Sequence, residues 1–206
     1  MLPSRWLARA IARRGEQHPA GFFGLLVQVR EDLHAHQNDR TLPGFRALAV
    51  HRFGNWVLRL RRGMLRSVSD RVYRILYHRV RNHYGIELPR STVIGRRLRI
   101  GHQGAIIVHP LSRFGDDCVI RQNVTIGAAN AETPQKAPVL MDRVEVGCGA
   151  VIVGAVTIGS DARIGPNVVV TTNVPAGAIL VTAPPRLVSL RQAPPPVARR
   201  LATIEG

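Results

Sequence analysis

The sequence predicts an α+β protein: an N-terminal α-helical subdomain followed by a parallel β-helix of hexapeptide repeats. Two observations carry this. Over residues 22–84 apolar side chains recur every three or four positions, the spacing of a helix face. From Ile94 the period changes to six, with aliphatic residues at 94, 100, 106, 120, 126, 140, 146, 152, 158, 164 and 170 and Phe114 in the same phase. Glycine often follows directly, as at Gly95, Gly101, Gly115, Gly127, Gly147, Gly159 and Gly165.

The helical part divides into three segments. Phe22, Phe23, Leu25, Leu26 and Val29 begin the first. After Pro43-Gly44, the residues Phe45, Leu48, Ala49, Phe53, Trp56 and Leu60 mark the second, and Val68, Val72, Ile75, Leu76 and Val80 the third. Each reads as an amphipathic helix with its arginines on the wet face. "GIELP" at 85–89 ends this part with a glycine and a proline.

The six-residue repeat has a direct physical reading. Three short strands make one triangular coil, and the aliphatic residue of each hexapeptide points into the prism and stacks on its equivalent in the next coil. Small or apolar residues four positions on, such as Leu98, Cys118, Val124, Val144 and Ala150, fill the remaining space. Stacked coils pair as parallel strands about 4.8 Å apart. About four coils are expected, above the minimum of about three that such arrays need. The repeat breaks twice, by two extra residues around 111–113 and by a polar stretch with two prolines at 128–139, which reads as an extruded loop. The expected organisation is a helical subdomain over 1–88, a β-helix over 89–181 with the loop at 128–139, and a Pro-rich basic tail over 182–206.

The formal charge is +16, and residues 1–90 hold 17 Lys+Arg against 6 Asp+Glu. Such a balance favours anionic partners. However, every basic residue except Lys136 is arginine, a compositional bias, and no nucleic-acid-binding motif accompanies it. No nucleic-acid partner is therefore expected. Cys118 and Cys148 are far apart with no CxxC, which fits a reducing cytoplasm. No run of 18 apolar residues is present. The start, MLPSRWLARAIARRG, is basic and amphipathic without a long apolar stretch. It reads as a surface helix; a peripheral membrane contact is open to it but is not predicted.

With "IELPRSTVIG" at the junction, "IGHQGAIIV" in the second repeat, and "EDLHAHQNDR" and "LPGFRALAVHRFGNWVLRL" in the helical part, the chain resembles serine O-acetyltransferases of the left-handed β-helix acyltransferase superfamily. The likeness covers roughly residues 30–188. It implies a homotrimer, with pairing to a second trimer left open, with acetyl-CoA as co-substrate in clefts between neighbouring β-helices and direct transfer without an acyl-enzyme. His102 matches the catalytic base. An alcohol is a poor nucleophile at neutral pH, and an imidazole titrates in the working range. Glu87 matches the acid that orients this histidine. Asp32 matches the aspartate that binds the substrate amine, and Lys136 stands where an arginine holds the substrate carboxylate. The resemblance assigns CoA binding to Gly127 and Ala128 at the loop start, to Cys148, to Pro166 and to Arg186 in "TAPPRLV".

Two positions depart from the serine-enzyme pattern. Gly101 stands where an acid precedes the catalytic histidine, and Ala137 stands where a histidine follows the carboxylate-binding residue. Acetyl transfer needs one base and survives both changes. The acceptor is then L-serine, or alternatively a sugar hydroxyl of a surface polysaccharide. A non-catalytic β-helix scaffold is the remaining reading, and His102 with Glu87 argues against it. His102 and His109 lack a third histidine downstream, so no zinc site is expected. The family's partner-binding tail ends in isoleucine, whereas this chain ends "ATIEG", and that complex is not expected.

Overall fold

The computed structural model describes residues 21–130 and 136–184. The N-terminal basic segment, the tip of the loop at 131–135, and Arg186 with the rest of the tail from 185 lie outside the described residues. Among the described residues three helices precede the strands: α1 (Gly21–Ala35), α2 (Pro43–Arg59) and α3 (Met64–Tyr84). Pro43 opens α2 at its first turn, where a missing N–H leaves no bond unmade. Gly85 ends α3 in the left-handed conformation, with φ 64°, and donates its N–H to the Arg81 carbonyl.

Helix α2 is the keystone. Phe45, Ala47, Leu48, His51, Arg52 and Val57 are buried along one face, between the other two helices and the first coil. Gly44 lies so close to Ile100 that a Cβ there would meet Ile100 Cβ at 2.8 Å, so only glycine allows the approach. Helix α3 differs from the expectation. Its buried residues are Ser69, Tyr73 and Val80, while Val68, Val72, Ile75 and Leu76 remain exposed. The reason is a polar anchor: the Tyr73 ring fits over Gly54, its hydroxyl accepts the Arg90 N–H at 3.2 Å, and the Arg90 guanidinium lies 4.5 Å over the ring. That anchor turns the apolar stripe roughly 100° away from the body of the protein.

Among the described residues fourteen short strands follow and form three parallel sheets. Strands β1 (Ile86–Glu87), β4 (Ile106–Val108), β7 (Thr125–Gly127), β10 (Val151–Val153) and β13 (Val169–Val170) make sheet A. Strands β2 (Val93–Ile94), β5 (Arg113–Phe114), β8 (Val139–Leu140) and β11 (Thr157–Ile158) make sheet B. Strands β3 (Arg99–Ile100), β6 (Val119–Ile120), β9 (Glu145–Val146), β12 (Arg163–Ile164) and β14 (Ile179–Leu180) make sheet C. This is the left-handed β-helix. Strand β1 lies just ahead of position 89 and already pairs in register, Ile86 with Ile106 and Glu87 with Ile107. Every aliphatic or aromatic residue of the six-residue phase is buried in one continuous core. Burying such a side chain stabilises by about 1.5–3 kcal/mol.

Regular coils repeat after 18 residues, as in the pairing of Val151 with Val169. The pairing of Ile86 with Ile106 spans 20, and that of Thr125 with Val151 spans 26. The loop leaves at the corner after sheet A. The two extra residues are not at 111–113: the pairings of Val93 with Arg113 and of Arg99 with Val119 also span 20, whereas that of Ile107 with Thr125 spans 18, which puts them at the corner between sheets C and A that carries His102. The corner between sheets B and C carries non-glycine residues at positive φ, Arg97, Asp117, Arg143 and Asp161. There Arg97 forks onto Asp117 and Arg143 onto Asp161, with Nε–Oδ1 distances of 2.6 Å.

The junction holds two buried histidines in the neutral form. His51 bonds to the Thr92 carbonyl at 3.0 Å through Nε2, and burial, aided by the Arg52 charge, pushes its pKa down to about 3. Its unfolded value lies near 6.5. Between these values the unfolded chain binds one more proton, so folding stability is complete above about pH 6.5 and falls as pH drops toward 3. Melting curves from pH 7 to pH 4 are expected to show this loss, at up to about 1.4 kcal/mol per pH unit. His51→Gln should flatten the dependence; a variant with the same slope would exclude His51 as its source.

Candidate active site

His102 sits in the corner between β3 and β4, exposed and outward, with Ile100 and Ile106 buried on either side. The corner is pinned from both neighbours in the stack. Gly104 donates its N–H to the Tyr84 carbonyl and Ile106 to that of Gly85, which satisfies carbonyls at the end of helix α3. Gly101 donates to Ile120, and Asn123 donates to Gly104. The later coils turn at the same corner, and the bonds from Gly149 N to Gln122 O and from Asn167 N to Cys148 O continue it. One edge of the prism therefore carries His102, Gln122, Cys148 and Pro166 in order. At about 4.8 Å per rung, the edge from His102 to Pro166 runs roughly 14 Å.

Three of the residues singled out in the sequence, His102, Cys148 and Pro166, thus share one edge. Gly127 and Ala128 stand at the opposite edge of sheet A, where the loop leaves, and Lys136 is exposed where it returns. Pro138 closes the return by accepting the Arg113 N–H at 3.1 Å. A face of about six residues spans at most roughly 20 Å, so the two edges of one chain do not meet. Between them runs the outward stripe of sheet A, Glu87, Ile107, Thr125, Val151 and Val169, in register. Glu87 lies at its top, three residues after Tyr84 ends α3, and its charge acts on Tyr77 of that helix. Burial, with the Glu87 charge next, pushes the Tyr77 hydroxyl up to about 12. Glu87 and His102 share no hydrogen bond in the single chain.

The space left differs among these positions. A Cβ on Gly127 would meet nothing within 4 Å, so the backbone there is open to approach. Cys148 is a free, partly buried thiol, and Pro166 is exposed. Cys118 is different: it packs inside, donates to the Met141 carbonyl at 3.0 Å, and burial raises its pKa to about 12. Gly101 is not forced by crowding either. A Cβ there would lie 3.6 Å from Arg121 Cγ and 3.7 Å from the Ile120 carbonyl oxygen, ordinary contact distances.

Asp32 occupies a place the sequence did not foretell. It is fully buried, with Oδ2 accepting from Arg52 Nε at 2.8 Å and Oδ1 from Nη2 at 3.2 Å. Arg52 also donates to the carbonyls of Ile94 (2.8 Å) and Gly95 (2.6 Å). In the single chain the expected amine ligand is an internal ion pair that ties α1 and α2 to the first coil. His36 lies closer to the His102 corner. Its Nε2 accepts the Ile100 N–H at 3.2 Å and its Nδ1–H donates to the Asp32 carbonyl at 2.7 Å. These two bonds fix one neutral tautomer, and burial lowers its pKa further. Gln122, one rung from His102, keeps its carbonyl oxygen buried without a partner among the described residues.

A prism of stacked hexapeptides with an outward histidine and a small-residue edge defines a hexapeptide-repeat transferase. Residues 137–172 match the family model of the bacterial transferase hexapeptide, six repeats. The chain belongs to the serine acetyltransferase family. It is 33% identical to the serine acetyltransferase of Helicobacter pylori, strain J99, over 68% of this chain and 78% of that one. It is 31% identical to that of Mycobacterium tuberculosis over 74% of this chain, and spans 64% of that relative's length. The soybean serine acetyltransferase apoenzyme superposes with a TM-score of 0.65 at 25% identity, covering 80% of this chain and 69% of that one.

Proposed function

We propose that the protein is an acetyl-CoA-dependent O-acetyltransferase acting on L-serine. The observation that carries this reading is His102, held outward at a rigid corner directly above the small-residue edge, in a chain whose relatives are serine acetyltransferases. His102 takes the proton of the acceptor hydroxyl as its oxygen attacks the thioester carbonyl. The carbon–sulfur bond then breaks, the ester is released, and the proton passes to the CoA thiolate. Glu87, on the adjacent face, favours the imidazolium that forms. Gly127, Ala128, Cys148 and Pro166 hold the CoA arm through backbone groups, and Pro166 contributes only its carbonyl, lacking an N–H. Arg186 holds the CoA phosphates, and Lys136 the acceptor carboxylate as a point charge.

The division of these residues between two edges supports a homotrimer, in which the loop edge of one copy faces the His102 edge of the next. A cytoplasmic setting agrees with the two free thiols. Among the described residues no helix is long and apolar enough to cross a membrane.

The test is thiol release from acetyl-CoA with L-serine and with a panel of sugars as acceptors. Turnover with serine that is lost in His102→Ala supports the proposal. Turnover with a sugar alone replaces the acceptor, and no turnover with no acetyl-CoA binding removes the enzyme reading. Gly101 has room for a side chain, so Gly101→Asp should lower KM for serine by about tenfold, the value of one charge-assisted contact. An unchanged KM would show that the substrate amine does not reach this corner.

A further inference from the structure

We infer that the arginine-lined groove along helix α3 is a binding site for a small anionic ligand carrying linked phosphate groups, separate from the acetyl-transfer site. The groove holds about 620 Å³ and is lined by Arg62, Arg66, Arg71, Arg74 and Arg90, with Asp70 as its one acid. Arg66, Asp70 and Arg74 follow at intervals of four, with Arg71 beside them, so one face of the helix presents them together. Arg90 reaches in from the corner between β1 and β2. Two of the guanidinium groups are fixed in place by the protein itself. Arg66 donates from Nη1 to the Leu60 carbonyl at 3.2 Å. Arg90 lies 4.5 Å over the Tyr73 ring and donates from Nη1 to Asp70 at 2.5 Å. Groups ordered in advance lose less freedom when a ligand binds. Asp70 is taken up by Arg90 and by Arg74, 3.3 Å away, and among the described residues no acid pairs with Arg62 or Arg71. The groove therefore keeps a large positive excess.

The lining selects the ligand. A guanidinium fork matches two oxygens of a phosphate. One phosphate has oxygens for about two such forks, so five arginines suit phosphates joined in a chain. Arginine, glycine, serine and aspartate make up the whole lining, and the nearby Tyr73 ring is covered by Arg90. No aromatic face is free to stack on a base, the contact that single-stranded nucleic acids use, and no apolar wall is present for an acyl chain. What the groove can recognise is the phosphate chain. Its position separates it from the transfer site. Arg90 stands at the corner between sheets A and B, whereas His102 stands at the corner between sheets C and A. The inference does not depend on which acceptor the protein acetylates.

The experiment is isothermal titration of the full-length protein with tripolyphosphate, pyrophosphate, inorganic phosphate and ATP at about 0.15 M salt. Affinity is expected to fall from tripolyphosphate to pyrophosphate to phosphate by about tenfold at each step, the value of one charge-assisted contact. ATP is expected to match tripolyphosphate, which identifies the phosphate chain itself; ATP about tenfold tighter would support the same site and assign its ligand to the nucleotides. The double variant Arg62→Ser/Arg71→Ser should weaken tripolyphosphate about a hundredfold. Its melting curve and its Kd for acetyl-CoA should stay as in the wild type, since both side chains are exposed. Arg59→Ser/Arg79→Ser removes the same charge from exposed positions outside the groove and should change the affinity by less than about threefold. No binding of tripolyphosphate, equal affinity for the three phosphates, or an equal loss in the two double variants overturns the inference. So does a raised Kd for acetyl-CoA in Arg62→Ser/Arg71→Ser, which would make the groove part of the cofactor site.

Discussion

His102→Ala is expected to lower kcat for acetyl transfer by about 10²–10⁴-fold, the value of a positioned general base, with little change in the Kd for acetyl-CoA. The structure makes this a clean substitution. His102 is an exposed corner side chain, and the corner itself is held by backbone bonds from Gly101, Gly104 and Ile106 that survive its removal. Stability should therefore stay within about 0.5 kcal/mol, as for surface changes generally. Stopped-assay thiol release and a melting curve on the same sample separate the two effects. A variant that keeps more than about a tenth of wild-type kcat would mean that another group takes the proton. Glu87→Gln is the companion measurement. It should reduce kcat less than His102→Ala does, because it acts on the charge of the imidazolium and not on the proton itself.

The second large effect is on stability. Arg52→Leu should destabilise the protein by about 3–5 kcal/mol, because it leaves the Asp32 carboxylate in the interior without its counter-charge. It also strips the Ile94 and Gly95 carbonyls of their donors. Typical domains have about 5–15 kcal/mol in total, so a loss of this size is a large shift in the guanidinium midpoint. Adding Asp32→Leu should recover part of it, since replacing both members of a buried pair removes the uncompensated charge. The pair of measurements also decides what Asp32 does. If Asp32→Asn raises KM for serine while the midpoint stays put, the carboxylate turns toward substrate in the working assembly. A lowered midpoint with unchanged KM identifies it as a structural tie.

The β-helix was legible because its signal is local. A residue six positions on occupies the next face of the same coil, so Ile100, Ile106 and Ile120 announce the prism interior without any knowledge of what packs there. His102 was legible for the same reason, since its neighbours in phase fix which way it points. The three helices were legible too, but how they pack was not. Asp32 and Arg52 are 20 residues apart and His36 and Ile100 are 64 apart, and no periodicity links them. The stripe of α3 misled in the opposite sense. Val68, Val72 and Ile75 have the spacing of a core face, but the Tyr73–Arg90–Gly54 anchor decides which side turns inward. Gly44, which the sequence marked only as preceding the second segment, sits where α2 approaches Ile100 too closely for a Cβ.

The loop that leaves after Gly127 adds eight residues between partners, taking the separation from 18 in the pairing of Val151 with Val169 to 26 in that of Thr125 with Val151. Chain-closure entropy grows only with the logarithm of that separation, so the longer excursion costs about 0.3 kcal/mol more than a regular coil. The strands on either side still pair in register, and the interior stack passes beneath the loop uninterrupted. A solenoid can thus lengthen one turn almost freely, provided the extra chain leaves at a corner. The excursion here leaves from the edge opposite His102, where its length and composition can change while the rungs that aim the histidine stay as they are.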